Sequence, residues 1–353
     1  MKSLEGSIQT VTNLITPDEA GFTLPVEHLL SDSSMNWDPP AEASARDMYF
    51  AELSNETIAY SRYYGIKNLA IARLGNVIDA IDEIDLFKQW GGGSIVDTTG
   101  SAGGRDPVGL ARIARATGIN VVMTATVPSE NGTDARGRKS KQSMADTIIK
   151  EINTGIGGTN IKAGVISSDN GSSRRSANPD TLQACALAHR STGAPFFIRT
   201  TAGSDDPYTA LAILDEMGVN LEAVTFTHMG CHPKSVVKDI VDSGCKIALD
   251  EFGAGILPVS AYSDGTELHS SSDESLLATI EWLVTEGRSD QILISHSIHS
   301  ADRYTKQGGH GYFYLFANII PRMRAMGFGE SLIEQLMIEN PADALKFRAS
   351  TKG

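Results

Sequence analysis

The chain has 353 residues, of which 41% are hydrophobic and 21% charged, so it is long enough and apolar enough to bury a large core. Its formal net charge of −13, from 43 acidic and 30 basic side chains, argues against a nucleic-acid-binding surface, because phosphate binding requires clustered lysine and arginine. Three cysteines without CxxC spacing, and no apolar stretch long enough for a signal peptide or a membrane span, predict a cytoplasmic protein without a membrane partner.

Eight short runs rich in valine, isoleucine, phenylalanine and threonine predict strands. In chain order they read FTLPVEH, SIVDTT, NVVMTAT, NIKAGVI, PFFIRTT, AVTFTH, KIALDEF and QILISH. Helix-length amphipathic stretches lie between them. Four of these start with a polar residue followed by proline, which is a helix-start signal: Asp106-Pro107, Asn178-Pro179, Asp206-Pro207 and His232-Pro233.

This alternation of strand and helix predicts the fold class. A strand, a loop and a helix repeated eight times are typical of a parallel α/β protein, and eight units favour a closed (β/α)8 TIM barrel. A doubly wound sheet is the alternative, but the glycine-rich GGGSIVDTTGSAGG lacks the spacing of a nucleotide-binding loop. We therefore expect one barrel domain over residues 1–353, with an insertion near the barrel mouth at about residues 29–93, since no Pro/Gly/Ser linker separates that segment.

In such a barrel the functional side chains lie at the carboxyl ends of the strands, which we call the mouth. The polar residues that the sequence places there are His28, Lys162, Arg199, His228, His296 and Ser297. Lys162 alternates with Ile161 and Ala163, which predicts that its amine points into the barrel. Arg199 has the same pattern, and two inward cations predict an anionic partner or ligand.

Several motifs, in this order, resemble those of the phosphotriesterase family of the amidohydrolase superfamily. The resemblance extends from Gly21 to Leu345 and depends on GFTLPVEHLL, NIKAGVI, THMG, LDEFG and ILISHSI…GGHGY…ENPADAL. It implies a barrel whose mouth holds two divalent metals and a bridging hydroxide that attacks phosphotriesters, lactones or other esters. It also implies the ligand set: an H-x-H pair on strand one, a carboxylated lysine on strand four, histidines on strands five and six, and an aspartate on strand eight.

Matched position by position, this ligand set is incomplete. His28 corresponds to the second histidine of the pair, Lys162 to the bridging lysine and His228 to the strand-six histidine. Val26, Arg199 and Ser297 stand where the family has a histidine, a histidine and an aspartate. The resemblance therefore accounts for half of the ligands only.

The missing ligands limit the metals that the mouth can hold. A catalytic zinc normally has three protein ligands, and a guanidinium repels a divalent ion and donates no lone pair. We therefore expect no metal, or at most one zinc ion per chain on His28, Lys162 and His228. Recruitment of other ligands remains open, and the candidates nearby in sequence are His232, Asp250, Glu251 and His296.

Two hypotheses for the function follow. In the first, the chain is a hydrolase-like protein that acts on a small ester, lactone or organophosphate-like molecule with a reduced or rearranged metal site. Lys162 and Arg199 are then the catalytic candidates, and Arg199, Ser297 and His296 contact the substrate. In the second, the barrel is metal-free and binds an anionic small molecule through Arg199 and Lys162. The resemblance also allows a homodimer.

Overall fold

Eight parallel strands form one sheet that curls into a barrel. The computed structural model describes residues 4–34, 37–65, 67–127, 140–168, 179–201, 206–254 and 271–350. The barrel strands are β1 (Phe22–Glu27), β2 (Gly92–Asp97), β3 (Asn120–Thr126), β4 (Val165–Ser167), β5 (Phe196–Arg199), β6 (Val224–Thr227), β7 (Lys246–Leu249) and β8 (Ile292–Ile294). Each strand pairs in parallel with the next one along the chain, so the predicted barrel architecture is confirmed.

Helices follow the strands and cover the outer face of the sheet. In chain order they are α1 (Ala43–Phe50), α2 (Asn55–Tyr64), α3 (Val77–Gln89), α4 (Pro107–Thr117), α5 (Lys141–Asn153), α6 (Pro179–Thr192), α7 (Asp206–Glu216), α8 (Lys234–Asp242), α9 (Asp273–Thr285), α10 (Ile320–Ala325), α11 (Glu330–Glu334) and α12 (Asn340–Leu345). The polar-proline signals lie at or next to helix starts. Asp106 caps α4 by accepting a hydrogen bond from the backbone N–H of Gly109, and α6 begins at Pro179, although Asn178 lies outside the described residues. Helix α7 begins at Asp206 itself, and α8 begins one residue after Pro233. No helix in the described ranges is both long enough and apolar enough to cross a membrane.

The barrel closes between β1 and β8 through one buried carboxylate. Glu27, which is fully buried, accepts hydrogen bonds at Oε1 from the Ser295 hydroxyl and from the backbone and ring nitrogens of His296. Its Oε2 accepts from the backbone N–H of Ile298. Two backbone bonds, Ser297 N–H to Val26 O and His28 N–H to Ile298 O, complete the seam. The order of the motifs predicts the barrel, but the glutamate that closes it was not among the predicted site residues.

The interior of the barrel is an apolar layer with a plug at its amino end. Nearly every strand contributes a buried inward residue: Val26, Val96, Val122, Val165, Phe197, Ala248 and Leu293. An antiparallel pair of short strands, Ile8–Gln9 and Leu14–Ile15, packs against this layer together with residues of α12. Val26, which stands in place of the family's first histidine, is therefore part of the barrel's packing.

The predicted insertion lies at the mouth. It contains α1, α2 and a small antiparallel pair, Ser31–Asp32 with Arg73–Leu74. Its backbone carbonyl at Ile71 accepts a hydrogen bond from Ala301, and Arg62 lies 3.5 Å from the Asp302 carboxylate, so it contacts the segment that follows β8. Helices α1 and α2 confirm the helical pattern in the sequence, whereas the single-domain assignment stays a prediction.

We expect Glu27→Gln to lower the free energy of unfolding by about 2 to 4 kcal/mol, because a neutral amide cannot accept all four hydrogen bonds and leaves buried donors unpaired. Urea unfolding followed by far-ultraviolet circular dichroism measures this. Glu281→Gln on the exposed side of α9 is the matched control and should change stability by less than about 0.5 kcal/mol. Equal midpoints for the two variants would contradict the role of Glu27 in closing the barrel.

Candidate functional site

A small cleft opens at the mouth, inside the ring of strand ends. Its polar lining is formed by His28, Thr98, Ser167, Arg199, Thr227 and His228. These residues end or directly follow β1, β2, β4, β5 and β6. The structure thus brings together three of the predicted site residues, His28, Arg199 and His228.

His228 is held in an unusual backbone conformation by Asp250. Its φ is 62°, in the left-handed region that costs energy for a residue with a Cβ. The Asp250 carboxylate, which is fully buried at the end of β7, accepts the His228 backbone N–H at Oδ1 over 2.8 Å. Its Oδ2 lies 3.0 Å from Nδ1 of the ring, although the N–H is not well directed at that oxygen. One carboxylate therefore holds the backbone of His228 and lies beside its imidazole.

Arg199 ends β5 and projects into the cleft. It lies directly opposite Thr227 on β6, and its backbone N–H donates to the Ser168 hydroxyl after β4 over 3.1 Å. A structural bridge from Arg199 to Asp250 or Glu251 is not formed. The Asp250 carboxylate contacts His228, and both oxygens of Glu251 are buried without a hydrogen-bond partner.

The predicted position of Lys162 is wrong. The fourth strand is Val165–Ser167, so Lys162 precedes it by three residues and lies toward the amino end of the barrel. The next residues fix this placement: the Ala163 carbonyl accepts a hydrogen bond from the Gln9 side chain, and Gly164 packs directly on the Gln9 carbonyl. Because Gln9 belongs to the plug at the amino end, Lys162 cannot reach the mouth. The residue that ends β4 in the cleft is Ser167, which the sequence analysis missed.

His296 also lies outside the cleft. Its side chain is fully buried and donates from Nδ1 to Glu27 over 2.9 Å, which excludes contact with a ligand in the mouth. Ser297 is 8% exposed and has a φ of 52°, and its backbone carbonyl accepts from the ring of His299 over 2.7 Å. Contact between the Ser297 hydroxyl and a ligand stays a prediction.

The remaining candidates for recruitment as metal ligands are engaged elsewhere or buried. His232 is within 3.0 Å of the Thr200 hydroxyl through Nε2, and burial lowers the pKa of its imidazole. Burial, together with the charge of Asp250, raises the pKa of Glu251, which favours its uncharged form. In the part of the chain that the structure describes, no three His, Cys, Asp or Glu side chains are arranged to hold a metal ion.

Known proteins match almost the whole chain. The sequence pattern of the phosphotriesterase family covers residues 6–345. This chain belongs to the phosphotriesterase family. The human N-acetyltaurine hydrolase is 30% identical, over 99% of this chain and 100% of its own length.

Solved structures agree in fold with this family assignment. A resiniferatoxin-binding protein from Rhodobacter sphaeroides superposes with a TM-score of 0.85 at 30% identity, covering 99% of this chain and 96% of its own. The phosphotriesterase homology protein from Escherichia coli, solved with phosphate in its active site, has a TM-score of 0.70 at 26% identity over 92% of this chain and 98% of its own. The chain is thus a hydrolase-like member of the family with the family's barrel.

The mouth does not fit the pair of divalent metals that is typical of the phosphotriesterase family. Val26, Arg199 and Ser297 stand at three of the six ligand positions, and Lys162, which the resemblance matches to the bridging lysine, precedes β4 and is not part of the cleft lining. Of the residues matched to family ligands, His28 and His228 alone line the cleft with a ligand side chain. Two histidines fall short of the three protein ligands of a catalytic zinc, and the Arg199 guanidinium repels cations in the same cleft.

The side chains that are present suit anion recognition. A guanidinium stabilises a carboxylate, a phosphate or a negatively charged oxygen that develops during hydrolysis. The imidazole of His228 lies beside a buried carboxylate, with 3.0 Å between its Nδ1 and Oδ2 of Asp250, but it does not make the hydrogen bond that orients the histidine of a hydrolytic triad.

We expect Asp250→Ala to lower the free energy of unfolding by about 2 kcal/mol, because the His228 backbone N–H loses its acceptor and the left-handed backbone loses its support. Asp250→Asn is the matched variant. It keeps an oxygen for that N–H and should stay within about 1 kcal/mol of the native protein. Urea unfolding of the three proteins distinguishes them. An Asn variant as unstable as the Ala variant would show that the backbone bond to His228 is not the stabilising contact.

Proposed function

We propose that the mouth binds a small ester, lactone, amide or phosphate ester that carries negative charge, and that Arg199 supplies the positive charge in place of the family's metal ions. The observation that carries this proposal is the guanidinium in the cleft at the mouth, where Val26 and Ser297 stand at two other family ligand positions and Lys162 is not part of the lining. The names of two relatives support it: N-acetyltaurine is an amide with a sulfonate group, and the Escherichia coli protein was solved with phosphate in its active site.

Hydrolysis at this site would depend on the residues that remain. His228, positioned by Asp250, is placed to take a proton from water, and Arg199 is placed to stabilise an oxygen that becomes negative. Binding without hydrolysis is the second candidate. It is favoured by Ser297, since serine has none of the basicity of the aspartate that the family has at this position. A small, diffusible ligand and three free thiols fit a cytoplasmic location, and a homodimer stays a prediction.

Arg199→Ala should weaken the binding of inorganic phosphate and of acetate at least tenfold, since a hydrogen bond to a charged group contributes about 1.5 to 3 kcal/mol. Isothermal titration calorimetry on the metal-free protein measures the affinities. Lys162→Ala is the matched control, because it removes a cation from the opposite end of the barrel and should leave the affinities unchanged. If the native protein binds neither anion better than millimolar, or if the two variants behave alike, the proposal is wrong.

Purified protein that is loaded with zinc and then dialysed should retain fewer than two zinc ions per chain, and we expect none. Elemental analysis by plasma mass spectrometry gives the count. The matched variant restores three family ligands with Val26→His, Arg199→His and Ser297→Asp and adds a lysine at the end of β4 with Ser167→Lys, and it should retain zinc. Two tightly held ions in the native protein would mean that residues outside the family's ligand positions complete the site.

A further inference from the structure

A histidine that the family comparison does not mark as a ligand lies at the rim of the mouth. His299 follows β8, its side chain is exposed, and its ring stands perpendicular to that of His28 with 6.3 Å between the ring centroids. The charges of Arg199 and His228 act on this ring, which places it beside the cleft that those residues line. His299 therefore lies next to His28, at the edge of the cleft that His28 lines.

The hydrogen bond to Ser297 determines which ring nitrogen of His299 carries the proton. Nδ1 lies 2.7 Å from the Ser297 carbonyl oxygen, and because a carbonyl only accepts, Nδ1 must donate. The left-handed backbone of Ser297, with a φ of 52°, is part of the turn that presents this carbonyl. In the neutral ring Nε2 is then left as an acceptor, and no donor from the described residues reaches it.

The surroundings of the His299 ring oppose a positive charge on it. Although the residue has exposed surface, desolvation of the ring lowers the pKa of His299, and the nearby positive charges of Arg303 and Arg199 lower it further, against the opposing effect of the bond to Ser297. The mouth therefore offers two complementary groups, a permanent cation on Arg199 and a fixed hydrogen-bond acceptor on His299.

We propose that His299 is a specificity-determining residue whose Nε2 accepts a hydrogen bond from an N–H or O–H of the ligand that Arg199 binds through its acidic group. This inference rests on the proposed function and narrows it to molecules that carry a donor near an acid, of which N-acyl amino acids and related acidic amides are the simplest class. A site built to accept a hydrogen bond rejects an analogue without the donor, since its own polar atom is then left unpaired.

Two ligands of the same shape test the proposal. N-acetylglycine and levulinic acid have the same chain and the same carboxylate, but the amide N–H of the first is replaced by a methylene group in the second. Levulinic acid has no ester or amide bond that could be hydrolysed. Titration calorimetry on metal-free native protein should give about 3- to 10-fold tighter binding of N-acetylglycine, the range that one neutral hydrogen bond supplies.

Three variants assign this preference to its residue. His299→Phe keeps an aromatic ring without an acceptor and should reduce the preference to about onefold while levulinic acid binds as before. His299→Gln supplies an acceptor oxygen and should restore part of the preference. Arg199→Ala should weaken both ligands by the same factor.

The outcomes separate this inference from the proposed function. If native protein binds phosphate and both carboxylic acids through Arg199 without preferring N-acetylglycine, or if His299→Phe keeps the preference, His299 is not the acceptor and the proposed function stands. If neither acid binds, the inference is overturned. If the native protein also fails to bind phosphate, the proposed function is overturned together with this inference.

Discussion

The geometry of the mouth depends on buried carboxylates that tie neighbouring strand ends together. Glu27 joins the end of β1 to the segment after β8 through four hydrogen bonds. Asp97 at the end of β2 accepts from the backbone N–H groups of Leu29 and Thr99, and Asp250 at the end of β7 accepts from that of His228. A buried carboxylate without such donors would be strongly destabilising, so each one holds the loop that supplies its donors in one conformation. The left-handed His228 and the turn at Ser297 are two such places.

The chain keeps the family's barrel but carries different side chains at its mouth. The family's mouth is built around divalent cations, whereas here a valine, an arginine and a serine take three of the ligand positions, and Lys162 is not part of the cleft lining. A guanidinium is a permanent cation with a fixed fork of donors, so it can hold an anion where a metal would have held a substrate oxygen. In the proposed function the positive charge at the mouth is carried by this side chain, and its strength does not depend on metal supply.

The sequence was sufficient to predict the barrel, because its strands are apolar runs and its helices begin at capped prolines such as Asp106-Pro107. It also placed His28, Arg199 and His228 correctly, since each directly ends or follows a well-marked strand. It failed at Lys162, because NIKAGVI alternates like a strand along its whole length. The contact of Gly164 with Gln9 in the distant plug, which sets the true start of β4, leaves no local signal. The signal for Ser167 is the serine pair Ser167-Ser168, where the apolar run ends, because polar residues at the carboxyl end of a barrel strand lie at the mouth.

The replacement of metal charge by Arg199 is tested most directly by crystals grown with zinc chloride and N-acetylglycine and measured at the zinc absorption edge. The account predicts that the ligand carboxylate is in hydrogen-bond contact with the Arg199 guanidinium. It also predicts that no anomalous peak lies at zinc–nitrogen bonding distance, roughly 2.1 Å, from a ring nitrogen of His28 or His228. Two anomalous peaks at the mouth, coordinated by these histidines with the guanidinium turned away, would contradict it.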